Sequence, residues 1–125
     1  MPRTQEESIA LLEEIRWNGQ PTCPYCESIK STIYKATHRY HCNSCYTAYS
    51  VTVGTLFHKT HIELNKWFRA IQLIVRISPN ISVRNLAKEI EVNKNTANYM
   101  ISRIRTGMIE ESDLLTRISQ LDDDI

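Results

Sequence analysis

Four cysteines stand in two matched pairs, Cys23-Pro24-Tyr25-Cys26 and Cys42-Asn43-Ser44-Cys45, and they are all the cysteines in this chain of 125 residues. Fifteen residues lie between the pairs, a spacing that suits one tetrahedral Zn²⁺ held by four thiolates. Such a site is closed. With sulfur in every coordination position, neither water nor substrate reaches the metal, and zinc supports structure rather than reaction. Other chemistries compete for the same residues. Two disulfides would need an oxidising compartment, and no signal-like segment precedes Cys23. A redox dithiol at Cys23 and Cys26 would need the first thiol at a helix N-terminus, whereas a β-like sequence follows here, with a second cysteine pair beyond it. His38, His41, His58 and His61 lie nearby, but four thiolates already complete the shell, which leaves the histidines to the surface or the strands.

To bring the pairs together the intervening chain must fold back on itself. Ser31 to His41 is rich in β-branched and aromatic residues and is expected to form two short strands. Tyr46 to Val53 alternates again until Gly54, which predicts a third. Strands this short bury little, so the metal must supply much of the folding free energy, on the order of 10 kcal/mol for a structural zinc. Ahead of the ribbon, Thr4-Gln5-Glu6-Glu7 is a capping box that opens a helix over 5–17. Its apolar face, Ile9, Leu11, Leu12, Ile15 and Trp17, should pack on the ribbon or on whatever follows it. Gly19-Gln20-Pro21 ends it.

After the ribbon, Thr60-His61-Ile62-Glu63 repeats the capping pattern and predicts an apolar helix from Ile62 to Ile77. Lys66, Arg69, Gln72 and Arg76 make its one polar stripe, which would face solvent and could reach phosphates. Ser78-Pro79-Asn80 breaks it. Ser82 then caps a short helix from Val83 to Ile90 with Leu86, Ala87 and Ile90 inward. Glu91-Val92-Asn93 turns the chain into a further helix, Lys94 to Arg105, with Ala97, Met100, Ile101 and Ile104 inward. This is the helix-turn-helix pattern, with small Ala87 at the helix crossing and Val92 plugging the turn. Glu91 holds the turn position where glycine is commonest.

The outward face of the second helix carries Lys94, Asn95, Asn98, Tyr99, Ser102 and Arg103. Asn95 and Asn98, near its start, suit base reading, since asparagine pairs bidentately with adenine. Lys94, Arg84, Arg103 and Arg105 suit phosphates. The same pattern also fits a plain three-helix packing unit with solvated asparagines, so charge has to discriminate. The formal net charge is +1, yet residues 30–106 hold twelve basic and three acidic side chains, between acidic ends. A basic centre of this kind is the electrostatic footprint of a nucleic-acid-binding module.

Several elements, taken in order, resemble a known family. They are Arg16-Trp17 before Cys23-Pro24-x-Cys26, Tyr40-x-Cys42-x-x-Cys45, Tyr49-Ser50-Val51, Gly54-Thr55-x-Phe57, Trp67-Phe68-x-Ala70-Ile71, and Ile81-Ser82 through Arg103-Ile104-Arg105. Together, over about residues 5–106, they look like the N-terminal region of zinc-ribbon insertion-sequence transposases with a DDE-type catalytic domain. A departure is His61-Ile62-Glu63-Leu64, where that family tends to place proline before the leucine. The resemblance implies that Cys23, Cys26, Cys42 and Cys45 ligate zinc and that the outward face of helix 94–105 recognises transposon ends. It also implies a following RNase H-like domain whose carboxylates hold two divalent metals. The chain closes instead on Leu121-Asp122-Asp123-Asp124-Ile125, so the expectation is a protein that does not cut DNA: a regulator, a decayed transposase or a fragment.

The expected fold class is therefore small α+β. A leading helix (1–20) and a four-cysteine zinc ribbon of three short antiparallel strands (21–57) precede a three-helix helix-turn-helix unit (58–106) and an acidic tail (107–125). The expected partners are one structural Zn²⁺ and double-stranded DNA, in the cytoplasm or nucleoid of a prokaryote or phage-infected cell, with no membrane. The apolar residues of 108–121 pack on the domain or join a homodimer, which would meet a palindromic site. The competing function is a protein-interaction module docking through the ribbon and the acidic termini.

Overall fold

The Thr4 hydroxyl accepts the Glu7 amide at 3.1 Å and opens helix α1, Gln5–Trp17. The computed structural model describes residues 4–58 and 60–121, so the Asp122-Asp123-Asp124 run lies outside the described residues. α1 ends where Asn18 and Gly19 turn into positive φ, which both residue types tolerate. Three strands follow, β1 Ser31–Tyr34, β2 Arg39–Cys42 and β3 Ala48–Tyr49, in one antiparallel sheet of order β1-β2-β3. Then come α2 Leu64–Ile71, α3 Val83–Ile90, α4 Lys94–Glu110 and α5 Ser112–Ser119. The chain is a small α+β fold in which the cysteines close the sheet and the helices pack beside it.

Two apolar clusters form. The larger joins Leu12 of α1 to Leu64, Trp67, Phe68 and Ile71 of α2, Leu86 of α3, Met100 and Ile104 of α4, and Leu115 and Ile118 of α5, all buried. Each such side chain contributes about 1.5–3 kcal/mol of burial. The smaller holds Cys23, Cys42, Tyr40 and Tyr49 beneath the ribbon. Trp17 packs against both clusters. Its ring meets Tyr40 edge-on at 5.3 Å and Tyr49 at 5.8 Å, while the tyrosines stack on each other at 5.4 Å. The Tyr40 hydroxyl donates to Glu13 Oε2 at 2.6 Å. Burial, reinforced by that carboxylate, raises the Tyr40 phenol well above its usual range.

The expected third strand over 46–53 is reduced to Ala48–Tyr49. Residues 51–58 turn repeatedly instead, because Val51, Leu56 and Phe57 must enter the helical core. The capping box expected at Thr60 does not form. The Thr60 hydroxyl instead accepts the Ile62 amide and the Trp67 indole N–H. The helix begins at Leu64, whose amide is satisfied by Gln5 Oε1 of α1 at 2.8 Å. Regular α-geometry also stops at Ile71, and Gln72–Ile77 continue as a π-helix.

The polar stripe expected on this helix is largely engaged within the protein. Gln72 is fully buried and donates to the Leu121 carbonyl at 2.8 Å. Arg69 pairs with Glu89 of α3 at 3.1 Å, and Lys66 Nζ donates to the Glu91 carbonyl at 3.1 Å. The residues following Arg105 extend α4 to Glu110, and α5 folds back to bury Leu115 and Ile118. Gly107 permits this approach: a Cβ there would lie 3.1 Å from Leu115 Cδ1. Met108 and Ile109 face outward.

α3 and α4 meet through the turn Glu91-Val92-Asn93. Ser82 accepts the Asn85 amide and Asn93 accepts the Thr96 amide, capping the two helices. Glu91 sits at φ 59° and ψ 53°, a left-handed conformation that costs an L-residue about 1–2 kcal/mol. Glycine there relieves this strain but loses about 0.5–1 kcal/mol to unfolded-state entropy. Glu91→Gly is therefore expected to raise stability by roughly 0.5–1 kcal/mol, read as a higher midpoint in urea unfolding of the zinc-loaded protein.

Candidate metal centre and nucleic-acid interface

The two cysteine pairs sit on matching backbone turns. In the first, the Cys23 amide donates to the Ser28 carbonyl and the Glu27 amide to the Cys23 carbonyl, both at 2.9 Å. In the second, the Cys42 amide donates to the Thr47 carbonyl at 3.0 Å and the Tyr46 amide to the Cys42 carbonyl at 2.9 Å. Glu27 and Tyr46, each directly after the second cysteine of its pair, take φ 63° and 61°. The same local fold thus occurs twice and points four sulfurs at one centre. A hydrogen bond of 2.8 Å between the Ser28 and Ser44 hydroxyls ties the turns together.

The four sulfurs all lie within 4.8 Å of one another. Cys23 and Cys45 are 3.7 Å apart and Cys26 and Cys42 are 3.5 Å apart. A regular tetrahedron with Zn–S bonds of about 2.3 Å has S···S edges of about 3.8 Å, so the arrangement fits zinc. Backbone amides of Tyr25 and Cys45 approach the sulfurs of Cys23 and Cys42 at 3.4 Å. The Cys45 amide is the largest influence on the Cys42 thiol, which is lowered to about 6. Cys45 is also lowered, chiefly by the Thr47 side chain. Cys26 receives a lowering contribution from the Ser28 amide, but hydrogen bonding to Cys42, burial, and the Cys45 and Cys23 sulfurs outweigh it and push Cys26 up to about 12. A dication removes that competition among neighbouring sulfurs by letting all four ionise. The group is a closed site for one structural zinc, and among the described residues it is the metal-holding cluster; none of the histidines takes part.

Around the centre the ribbon is joined to the helices by polar contacts that sequence reasoning missed. Arg16 Nη1 donates to the Val51 carbonyl at 2.6 Å while its guanidinium lies 5.9 Å from the Trp17 ring. Burial lowers Arg16, opposed by the Glu111 carboxylate. Burial likewise raises Glu111, opposed by the Leu56 amide and by Arg16. Arg16-Trp17 was legible as a pattern but not as a clamp, because its partners lie 35 and 23 or more residues away. Arg103, expected among the phosphate contacts, turns inward: Nη2 donates to the Leu56 carbonyl at 2.9 Å, and Nε is buried with no hydrogen-bond partner among the described residues.

The other outward residues of α4 remain at the surface. Lys94, Asn95, Asn98, Tyr99, Ser102 and Arg105 are exposed, as is Arg84 on α3. Tyr99 also meets Trp67 edge-on at 6.2 Å, which fixes its ring over the core. From Lys94 to Gly107 the helix has no carboxylate. The Asn93 side chain accepts the Thr96 amide at 2.8 Å and caps its start.

Comparison with known proteins places this geometry. Residues 3–48 match the transposase zinc-ribbon domain family. A Halobacterium salinarum protein described as an uncharacterized protein in transposable element ISH50 is 31% identical over 103 residues. That alignment covers 80% of this chain and 34% of the relative, so the chain spans about a third of the relative's length. No solved structure matches. The matched range contains all four cysteines that the fold brings together.

A strong chelator is expected to unfold the ribbon, because its sheet has no apolar core able to replace about 10 kcal/mol of metal binding. The check is mass spectrometry for one zinc per chain, then loss of amide protection over residues 21–50 on chelation. Cys42→Ser should do the same without chelator.

Proposed function

We propose that the chain is a zinc-stapled DNA-binding module of the kind that recognises the ends of a mobile element, acting by binding rather than by strand cleavage. The observation that carries this reading is the exposed, carboxylate-free face of α4, presented from a capped N-terminus by a helix-turn-helix arrangement with α3. Asn95 and Asn98 are the base readers. Lys94, Ser102, Arg105 and Arg84 position the helix on phosphates, and Tyr99 steadies the face from beneath. Arg103 leaves this set and becomes a strut between α4 and the Leu56 segment. The match to a transposase zinc-ribbon family and the relative from a transposable element support the class of DNA involved. No helix among the described residues is long and apolar enough to cross a membrane.

Selection of bound sequences from random duplex DNA tests the reading. The native protein should enrich a defined site. Asn95→Ala with Asn98→Ala should lose base preference at the corresponding positions, by about 1–3 kcal/mol per contact, while retaining most non-specific affinity. Unchanged preference, or no duplex binding at low salt, would remove α4 from this role.

The two arginines of α4 separate the surface from the scaffold. Arg105→Ala should reduce the salt slope of DNA binding by about one unit and leave the melting temperature unchanged. Arg103→Ala should cost about 1–3 kcal/mol of stability, as expected for losing a charged group's hydrogen bond to a buried carbonyl, read in urea unfolding.

A further inference from the structure

The ribbon has a second surface that the duplex reading does not use. Residues 28–62 contain no Asp or Glu, while they hold Lys30, Lys35, Arg39, Lys59 and all four histidines of the chain. The sheet is built from this segment, and its two faces differ sharply in composition. Strand pairing places Tyr40 opposite both Ile33 and Tyr49, with Cys42 opposite Ser31. Tyr40, Cys42 and Tyr49 are buried toward Trp17.

The other face carries Thr32 opposite His41, Tyr34 opposite Arg39, and His41 opposite Ala48. Side-chain alternation adds Lys30 and Asn43 to it. Asn43 confirms its placement by donating to Thr32 Oγ1 at 3.2 Å. Tyr46 lies at the rim, its ring 6.4 Å from that of His41. Tyr34 is 54% exposed and Tyr46 is 77% exposed.

Two exposed aromatic rings set among Lys30, Arg39 and His41, with no carboxylate in the segment, call for a ligand that is both anionic and planar. A duplex supplies the charge but keeps its base faces stacked inside, so cations alone would suffice for it. Unpaired nucleotides supply both, since every freed base offers a face for stacking and its phosphate lies alongside. We propose that the outer face of the ribbon sheet is a platform for unpaired DNA, with Tyr34 and Tyr46 stacking on bases while Lys30 and Arg39 hold the phosphates. The inference builds on the DNA-binding reading above and extends it from a duplex groove to a frayed or single-stranded stretch of the same partner.

The test uses the zinc-loaded chain and three probes: a blunt duplex, the same duplex with a short unpaired thymine extension, and the free thymine strand. The extension is expected to tighten binding about ten-fold, in line with base–aromatic stacking. Tyr34→Ala with Tyr46→Ala should abolish that gain while leaving blunt-duplex affinity, zinc content and melting temperature unchanged. Tyr34→Phe with Tyr46→Phe should keep the gain, because the stacking face survives.

Equal affinity for blunt and extended duplexes in the native protein would overturn the proposal. So would a gain that persists in the double alanine variant. Binding of the thymine strand without binding of the blunt duplex would support the platform and count against the α4 reading alone.

Discussion

Four sulfurs around one ion hold the ribbon together, and the ribbon holds the first helix against the rest. Strands of four, four and two residues cannot enclose an apolar core on both faces. What stabilises them is the closure of two identical turns around the metal, together with the aromatic packet of Trp17, Tyr40 and Tyr49 below it. Because Trp17 is also the last residue of α1, the order of the zinc site passes directly into a helix whose Leu12 is at the centre of the larger core.

The junction between ribbon and helices is polar as well as apolar. Arg16 grips the Val51 carbonyl and Arg103 grips that of Leu56, while between helices Arg117 of α5 donates to the Ile15 carbonyl of α1 at 2.9 Å. In each case a guanidinium satisfies a carbonyl where the chain turns or a helix ends, places where regular ladders cannot supply a donor. Three of the chain's cations are therefore structural. Their engagement also explains why raw charge counts overstate the surface available to a polyanion: Lys66 and Arg69 are likewise bound to groups on neighbouring elements.

What remains outward is segregated. Carboxylates concentrate at the two ends of the chain, while the sheet's outer face and the first four turns of α4 carry none on their own segments. The helix offers amide and hydroxyl groups in a row suited to base edges, and the sheet offers rings and cations. Both are attached to one zinc-anchored body, so the proposed DNA contacts would need no reordering of the chain, which lowers the entropic cost of association.

Much of this was legible in the sequence wherever the determinant was local. Cysteine spacing, the Thr4 and Ser82 caps and the apolar periodicity of α1, α3 and α4 determined the metal ligands, three helices and their inward faces, because each depends on residues within a turn or two. Even the glycine-favouring position at Glu91 was visible from its place in the turn. Tertiary structure alone decided the rest. Gln5 displaced Thr60 as the cap of α2, and Val51 left the expected strand for the helical core. Gln72 went inside, and Arg103 turned from the surface to a carbonyl 47 residues away. A polar side chain declares in sequence only that it needs a partner, and which partner it meets depends on packing between distant segments that no local pattern encodes.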